Sequence, residues 1–271
     1  MTIPPTEKQP RRKGDPARQR TGRPARRGKT ARPTRRRSWF ARLRRACLLL
    51  LAAGLGASLA VVLVLRWAPP PTTAFMVRDA LAAAERGDPA RMPYRWTSWD
   101  GIAPHAALAV IASEDQKFPD HNGFDVEAIR MALGDALQGE RLRGASTISQ
   151  QTAKNLFLWP GRSLFRKGLE AYLTVLIELC WSKRRIVEVY LNVAEFGTGV
   201  FGITAASERF FDKRPAELNA DEAALLAAVL PLPSRWRADD PSPSVRRRQA
   251  WIRSQMTRLG GVALIEERLA D

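Results

Sequence analysis

The feature that most constrains this chain is an uncharged apolar run of 20 residues, 46–65. As an α-helix that rises about 1.5 Å per residue, the run is about 30 Å long, which matches the hydrocarbon core of a bilayer. Arginines flank both ends, and Trp39, Phe40 and Trp67 lie near the ends, where interfacial aromatic side chains are common. The run therefore predicts a transmembrane anchor over residues 46–66.

A cleaved signal peptide is the alternative interpretation of this run. Signal peptides have apolar cores of about 7–15 residues followed by a small-residue cleavage site. The run here is longer, its basic flank is longer, and no clear cleavage site precedes the prolines at 69–71. A retained anchor is therefore favoured. Because basic flanks stay in the cytoplasm, the residues after Trp67 are expected outside it.

Charge is concentrated in the N-terminal segment. The chain has 44 Lys+Arg and 27 Asp+Glu, a net charge of +17, and residues 1–45 contain 17 of the basic residues and only two acidic ones. That segment is rich in Pro, Gly, Arg and Thr and cannot bury enough apolar surface to fold, so it predicts a disordered cytoplasmic tail. Because the charge does not lie on a folded face, a nucleic-acid partner is not predicted. The two cysteines and two histidines show neither a disulfide framework nor a zinc spacing.

The remainder predicts a linker at 67–74 and one domain at 75–271, long enough for a full hydrophobic core. Apolar residues recur at helical spacing through most of it, strand signals are scarce, and no repeat is visible, so the expected fold is mostly α. The predicted helices are 106–113, 126–138, 164–190, 221–230 and 245–259.

The first cluster of reactive side chains covers residues 114–125, which read EDQKFPDHNGFD. Glu114 follows an apolar helix, and a partly desolvated carboxylate is suited to act as a general acid or base. The alternatives are a solvated helix end with a capped turn, or a loose calcium loop. The calcium loop is disfavoured because the alternating oxygen ligands of an EF-hand are missing.

The second cluster, residues 144–155, combines small hydroxyl residues, two amides and a lysine. Such side chains suit an oxyanion or a phosphate group. The alternative is an ordinary helix start with Ser146 or Thr147 as the N-cap.

The third and fourth clusters lie at 162–178 and 183–203. On a helix, Arg166 is one turn from Glu170 and Lys167 is three residues from it, which suits either a functional charge cluster or a pair of surface salt bridges. The fourth cluster, KRRIVEVYLN with glycines after it, indicates core packing followed by a tight turn.

In this order and spacing, the four clusters resemble the peptidoglycan glycosyltransferases of the lysozyme-like family, which occur as polymerase domains of bifunctional penicillin-binding proteins and as stand-alone enzymes. The first motif is matched by Glu114, Asp115, Phe118, His121 and Gly123. The second is matched by Gly144, Ser146, Thr147, Ile148, Gln150 and Gln151. The third is matched by Arg166, Lys167 and Glu170. The fourth is matched by Lys183, Ile186, Glu188, Tyr190, Leu191 and Asn192, with Val187 where the family more often has Leu.

The resemblance implies a lysozyme-like, two-lobed helical domain and a polymerisation reaction. The acceptor is lipid II, whose GlcNAc 4-hydroxyl attacks the anomeric carbon of a glycan on undecaprenyl diphosphate with inversion. Glu114 is implied as the general base, and Glu170 as a residue that orients cations or assists at the donor phosphate. Substrate and diphosphate binding are implied for Ser146, Thr147, Gln150, Gln151, Lys154, Arg162, Arg166 and Lys167.

The resemblance also implies partners and a location. The substrates are lipid II and the growing lipid-linked strand. The expected location is the inner membrane, with a cytoplasmic N-terminus and a periplasmic catalytic domain. Other cell-wall synthesis or division proteins are expected as partners. Members of the family differ in their dependence on a divalent cation, Mg²⁺ or Mn²⁺, and the sequence leaves that open. The chain shows no Ser-x-x-Lys motif with a partner domain, so a monofunctional polymerase is expected.

Two rival functions are weaker. A lysozyme-like hydrolase or lytic transglycosylase needs a catalytic carboxylate but no diphosphate clamp, and the basic and hydroxyl clusters around Glu170 favour the polymerase. A non-catalytic cell-wall scaffold would be supported by the loss of Glu114 or Glu170, and both are present.

Overall fold

A computed structural model of the protein describes residues 35–87, 93–137, 146–161 and 163–270. These residues are mostly helical, which confirms the predicted fold class. The α-helices are α1 (Arg35–Leu65), α2 (Ala74–Arg86), α3 (Pro104–Glu114), α4 (Val126–Leu137), α5 (Ile148–Phe157), α6 (Leu164–Cys180), α7 (Lys183–Val193), α8 (Ile203–Phe211), α9 (Ala220–Val229), α10 (Pro243–Arg258) and α11 (Ala263–Arg268). Two short strands, β1 (Glu195–Gly197) and β2 (Val200–Phe201), form an antiparallel hairpin between α7 and α8.

Helix α1 contains the apolar run. Its segment Trp39–Leu65 is long and apolar enough to cross a membrane. The helix begins at Arg35, so the expected disorder of residues 35–45 is wrong. Helix propagation from the apolar run adds one hydrogen bond per residue, and the arginines, leucine and alanine of this flank favour it. Residues 1–34 of the predicted tail lie outside the described residues.

The core is built around α3 and α9, which pack against each other and against α10. In α3 the whole stretch from Ala106 to Ala112 is buried, and in α9 the stretch from Ala223 to Val229 is buried. A helix that is apolar on every side belongs in the interior. Asn219 caps α9 through hydrogen bonds from the amides of residues 221 and 222.

The predicted single helix over 164–190 is wrong, because α6 ends at Cys180 and α7 begins at Lys183. The side chain of Ser182 caps α7 by accepting a hydrogen bond from the Arg185 amide at 3.3 Å. Between the two helices, the buried Trp181 donates its indole N–H to the carbonyl of Val62 at 2.7 Å. A local cap and one buried tryptophan therefore interrupt an otherwise continuous helical pattern.

The C-terminal end of α1 is bonded to α7. Arg185 donates to the carbonyl of Leu65 at 2.9 Å and to that of Ala68 at 2.7 Å. Carbonyls at a helix C-terminus have no partner within the helix, so the guanidinium satisfies groups that would otherwise need water. Glu188 binds Arg185 at 2.8 Å with one carboxylate oxygen and accepts the Trp99 amide, also at 2.8 Å, with the other. These bonds hold the C-terminal end of α1 and the residues just after it against the first turn of α7.

The fourth motif fixes the chain entering the domain and the hairpin. The Asn192 side chain accepts the Thr97 amide and donates to the Thr97 carbonyl, both at 2.8 Å. Gly202 follows the hairpin with φ +85°, and a Cβ there would lie 2.7 Å from the Asn192 carbonyl oxygen. Only glycine fits this close approach without strain.

We therefore expect Gly202→Ala to destabilise the protein by about 1–3 kcal/mol from backbone strain alone. Gly168→Ala is the matched control, because Gly168 lies within α6 and a Cβ there meets nothing within 4 Å. The control should be more stable than the native chain by about 0.5–1 kcal/mol, since glycine is a poor helix former. Thermal unfolding of the three proteins in one detergent measures both effects. An unchanged midpoint for Gly202→Ala would show that the hairpin tolerates a side chain.

Candidate active site

Glu114 is the last residue of α3, and its carboxylate is oriented by two neighbours. The side-chain amide of Gln151 donates to one oxygen at 2.9 Å, and the guanidinium of Arg248 donates to the other at 3.2 Å. The Glu114 side chain is 14% exposed, so it is largely desolvated but reachable. A carboxylate has about four acceptor positions, and at least two remain for a ligand proton.

Tyr190 determines which way the Gln151 amide faces. Burial, together with the nearby Glu114 carboxylate, raises the pKa of Tyr190 well above its ordinary range. The phenol therefore stays protonated at neutral pH and donates to the Gln151 carbonyl oxygen at 3.3 Å. Because that oxygen is occupied as an acceptor, the amide nitrogen of Gln151 points to Glu114.

Asp115 joins the first motif to the second. This buried carboxylate accepts the Ile148 amide, at the first turn of α5, at 3.0 Å. Its other oxygen lies 2.9 Å from Nε2 of His121, whose ring meets the buried Phe118 edge-on. Asp115 thus bonds the end of α3 to the start of α5.

Gly123 makes a second connection between the two motifs. Its carbonyl accepts the Thr147 hydroxyl at 2.7 Å. The glycine has φ +86°, and a Cβ there would lie 2.8 Å from the Thr174 side chain and 2.9 Å from Glu178. The first motif therefore passes against α6 at a point where no side chain fits.

The resemblance assigns Thr147, Gln150 and Gln151 to binding the diphosphate, and all three side chains make hydrogen bonds within the protein. Thr147 and Gln150 are buried and bond each other as the capping box of α5. Gln151 is engaged by Glu114 and Tyr190. These bonds cap the start of α5 and orient the Glu114 carboxylate. Ser146, directly before the cap, is exposed. Arg162 lies outside the described residues.

Glu170 is buried within α6, with only 3% of the residue exposed. Arg166 donates to one carboxylate oxygen at 3.1 Å and the Lys167 ammonium binds the other, as the helical spacing predicted. The Arg166 side chain is also largely buried, at 11% exposure. The pair is therefore not an exposed surface salt bridge, and Glu170 holds two cations in place.

Lys154 lies on α5 three residues after Gln151, so the two side chains share a face of the helix. Burial lowers the pKa of Lys154, the Glu170 and Glu114 carboxylates raise it, and the cations Arg166 and Lys167 lower it further. The Lys154 ammonium therefore interacts electrostatically with both the Glu114 and the Glu170 carboxylates. It lines a cavity of about 200 Å³ together with Phe75, Gln151, Asn155, Tyr190 and Pro231.

Arg248 is a site residue that the sequence analysis missed. It lies on α10, and besides Glu114 it contacts the carbonyl of Ser113 at 3.5 Å and the ring of Trp251. The sequence offers a run of three arginines at 246–248 as the signal. Successive helical residues point about 100° apart, so only one of them can face the site, but the run does not say which one.

No group of three or more His, Cys, Asp or Glu side chains that could hold a metal ion occurs among the described residues. The two central carboxylates are occupied by nitrogen donors, Glu114 by Gln151 and Arg248, and Glu170 by Arg166 and Lys167. These carboxylates do not form a protein cage for a divalent cation, and a Mg²⁺ ion bound here would take most of its ligands from water and substrate phosphates. We derive no catalytic step through a metal.

Comparisons with known proteins agree on one family. A family model described as Transglycosylase matches residues 83–257. The chain is 55% identical over 227 residues to a biosynthetic peptidoglycan transglycosylase of Cronobacter sakazakii, an alignment that covers 83% of this chain and 94% of the relative. A protein of the same name from Pseudomonas entomophila is 54% identical over 224 residues, covering 83% and 93% of the two chains. One from Citrobacter koseri is 56% identical over 216 residues, covering 79% and 88%.

We expect Lys154→Met to be at least as stable as the native protein at neutral pH, because it removes a desolvated cation while keeping the length of the side chain. The lowered pKa of Lys154 sets the pH dependence. Between that pKa and the ordinary value of 10.5, the unfolded chain binds more protons than the folded one, so native stability rises with pH.

The difference in unfolding midpoint between Lys154→Met and the native protein should therefore shrink as the pH is raised from about 7 to about 10. Lys213→Met is a suitable control, since Lys213 pairs with Glu222 away from this cavity. A native protein that is clearly more stable than Lys154→Met at neutral pH would show that Lys154 stabilises the fold.

Proposed function

The chain belongs to the transglycosylase family and is a peptidoglycan glycosyltransferase, and we propose that the cluster of Glu114, Lys154 and Glu170 is where it joins glycan units. The observation that carries the assignment is that the half-buried Lys154 lines one cavity with Gln151, which holds Glu114, and interacts with both Glu114 and Glu170. The substrates of the enzyme are lipid II and the growing lipid-linked glycan strand. The enzyme extends the strand by β-1,4 glycosyl transfer with inversion.

Glu114 is proposed as the general base. The acceptor hydroxyl must lose a proton as it attacks the anomeric carbon, and a carboxylate within hydrogen-bond reach supplies that acceptor. Gln151 and Arg248 each donate to a different oxygen of the Glu114 carboxylate, which keeps further acceptor positions for the hydroxyl. They are positioning residues, since they act through Glu114.

The cations of α5 and α6 are proposed to bind the leaving diphosphate. Departure of the lipid diphosphate concentrates negative charge, which fixed cations stabilise without reorganising. Arg166 is largely buried and is held in place by Glu170, whereas Lys154 is half-buried and Lys167 is about half exposed. Glu170 orients Arg166 and Lys167, and Ser146 can donate its exposed hydroxyl.

The membrane arrangement follows from the substrate. Both substrates are lipid-linked, so a site on a domain that is joined to a membrane helix can meet them at the bilayer surface. We propose a single-pass inner-membrane protein with the basic N-terminal residues in the cytoplasm, because positive flanks stay inside. The domain after Trp67 then lies in the periplasm. Exposed apolar side chains on α6 suit contact with lipid there, among them Leu164, Phe165 and Leu179.

The rival hydrolase is disfavoured by the same geometry. Hydrolysis of a glycan releases no diphosphate, and a chain that only cleaves has no use for the three cations, Lys154, Arg166 and Lys167, that interact with the buried Glu170. The names of the relatives also describe biosynthesis.

Glu114→Gln should fold normally and lose polymerisation by about 10²–10⁴-fold, because the amide is nearly isosteric but cannot accept the proton. The assay uses purified protein and labelled lipid II, and it separates polymer from cleavage products. Glu127→Gln is the matched control, since Glu127 is exposed on α4 and pairs with Lys117. Near-native turnover by Glu114→Gln would refute the assignment, and cleavage products from the native chain would favour the hydrolase.

Glu170→Gln should also cripple polymerisation, through misdirected cations. Because Glu170 acts through Arg166, a double-mutant cycle on the polymerisation rate tests the pair. The combination of Glu170→Gln with Arg166→Ala should cost far less than the product of the two single losses. Combining Glu170→Gln with Glu114→Gln provides the comparison, and it should be closer to multiplicative. Full multiplicativity in the first cycle would contradict a shared diphosphate site.

A further inference from the structure

A second pocket lies where α1 ends. It has a volume of about 540 Å³. Its walls are Arg66 and Trp67 just after α1, Ser98 to Asp100 before α3, and the first turn of α7 with Arg184, Arg185 and Glu188. None of these residues lines the cavity around Lys154. The pocket is therefore separate from the proposed catalytic cluster.

The depth of the pocket in the membrane is set by the hydrogen bonds that hold the end of α1. Leu65, the last residue of α1, is bonded to Arg185, which itself lines the pocket. If α1 spans the bilayer, the pocket opens at the level of the outer headgroups. Trp67 is 73% exposed there, and tryptophan is enriched at that interface.

The pocket presents cations on aromatic surfaces. The guanidinium of Arg66 lies 5.1 Å from the ring centroid of Trp67, and that of Arg184 lies 5.5 Å from the ring of Trp99. Stacking holds each guanidinium plane while its N–H edge can meet an anion. Arg66 and Arg184 therefore present two guanidinium groups to the same pocket, which suits an anion.

The acidic residues of the pocket do not cancel this charge. Glu188 is engaged by Arg185 and the Trp99 amide, so it belongs to the wall. Asp100 lies 3.2 Å from Arg184, but its side chain is 88% exposed and such pairs contribute little. A guanidinium carries five N–H donors, so Arg184 can bind Asp100 and a phosphate together. The lining as a whole carries one net positive charge.

We propose that this pocket binds the phosphodiester headgroup of an anionic membrane phospholipid, such as phosphatidylglycerol. A headgroup with one net negative charge neutralises the pocket, whereas a zwitterionic headgroup does not. Basic pockets at membrane helices bind anionic headgroups in this way. The bound lipid would hold the C-terminal end of α1 and the start of α7 at the same depth in the membrane. The inference rests on the proposed membrane span of α1 and not on the proposed catalysis.

Photo-cross-linking of the full chain in nanodiscs tests the site. The probes are phosphatidylglycerol and phosphatidylcholine, each with a photoreactive group in the headgroup, and adducts are mapped by mass spectrometry. Adducts from phosphatidylglycerol should appear in the peptides that contain residues 98–100 and 182–185. Each of Arg66→Gln and Arg184→Gln should lower them about 5-fold, and the double variant about 30-fold.

Two controls make the result decisive. Adducts in the basic tail serve as an internal reference, because every variant keeps the tail. The pair Arg246→Gln and Arg247→Gln removes two exposed arginines from α10 and should leave the pocket adducts unchanged. Soluble glycerol phosphate should compete only weakly, and full competition would show a site for free phosphate and overturn the lipid assignment.

Polymerisation of detergent-solubilised lipid II separates this proposal from the proposed function. The double variant Arg66→Gln, Arg184→Gln should keep native turnover there. A loss of turnover would place the pocket on the substrate path and overturn the headgroup assignment. Equal adducts from both lipids, or adducts unchanged in the double variant, would also overturn it. Loss of activity in Glu114→Gln does not bear on any of these outcomes.

Discussion

The bond on which the site depends joins the Asp115 carboxylate to the backbone amide of Ile148. An amide in the first turn of a helix has no partner within the helix, and a carboxylate there also meets the positive end of the helix dipole. By capping α5 in this way, Asp115 fixes that helix to the end of α3. Glu114 is the neighbouring residue, and Gln151 and Lys154 lie on the following two turns of α5. One buried bond therefore brings the proposed base and the proposed cation together.

The site contains charged side chains in positions where desolvation disfavours the charged form. Lys154 has a lowered pKa because it is desolvated, and Glu170 is buried between Arg166 and Lys167. A buried charge is tolerated when partners surround it, and such groups are seldom the best choice for stability. They are well suited to stabilise charge that develops in a transition state, since their orientation is already fixed. The cluster is thus explained by function more readily than by folding.

Much of this arrangement could be predicted from the sequence. Helices α3, α9 and α10 follow from apolar spacing and caps, and the Arg166–Glu170 pair follows from helical spacing. The rest depends on tertiary contacts. The end of α6 was missed because Trp181 breaks the helix by bonding Val62, far away in the chain. Arg248 was missed for a similar reason, since its contact with Glu114 joins α10 to α3 and leaves no local pattern.

The central claim is a division of labour, in which Glu114 serves the acceptor and Lys154 serves the diphosphate. Equilibrium binding of undecaprenyl diphosphate to the purified full chain tests it without any turnover. Lys154→Met should weaken that binding by about 10-fold or more, since a charge-assisted hydrogen bond contributes about 1.5–3 kcal/mol. Glu114→Gln should bind as the native protein does. Equal weakening by both changes, or none from Lys154→Met, would contradict the account.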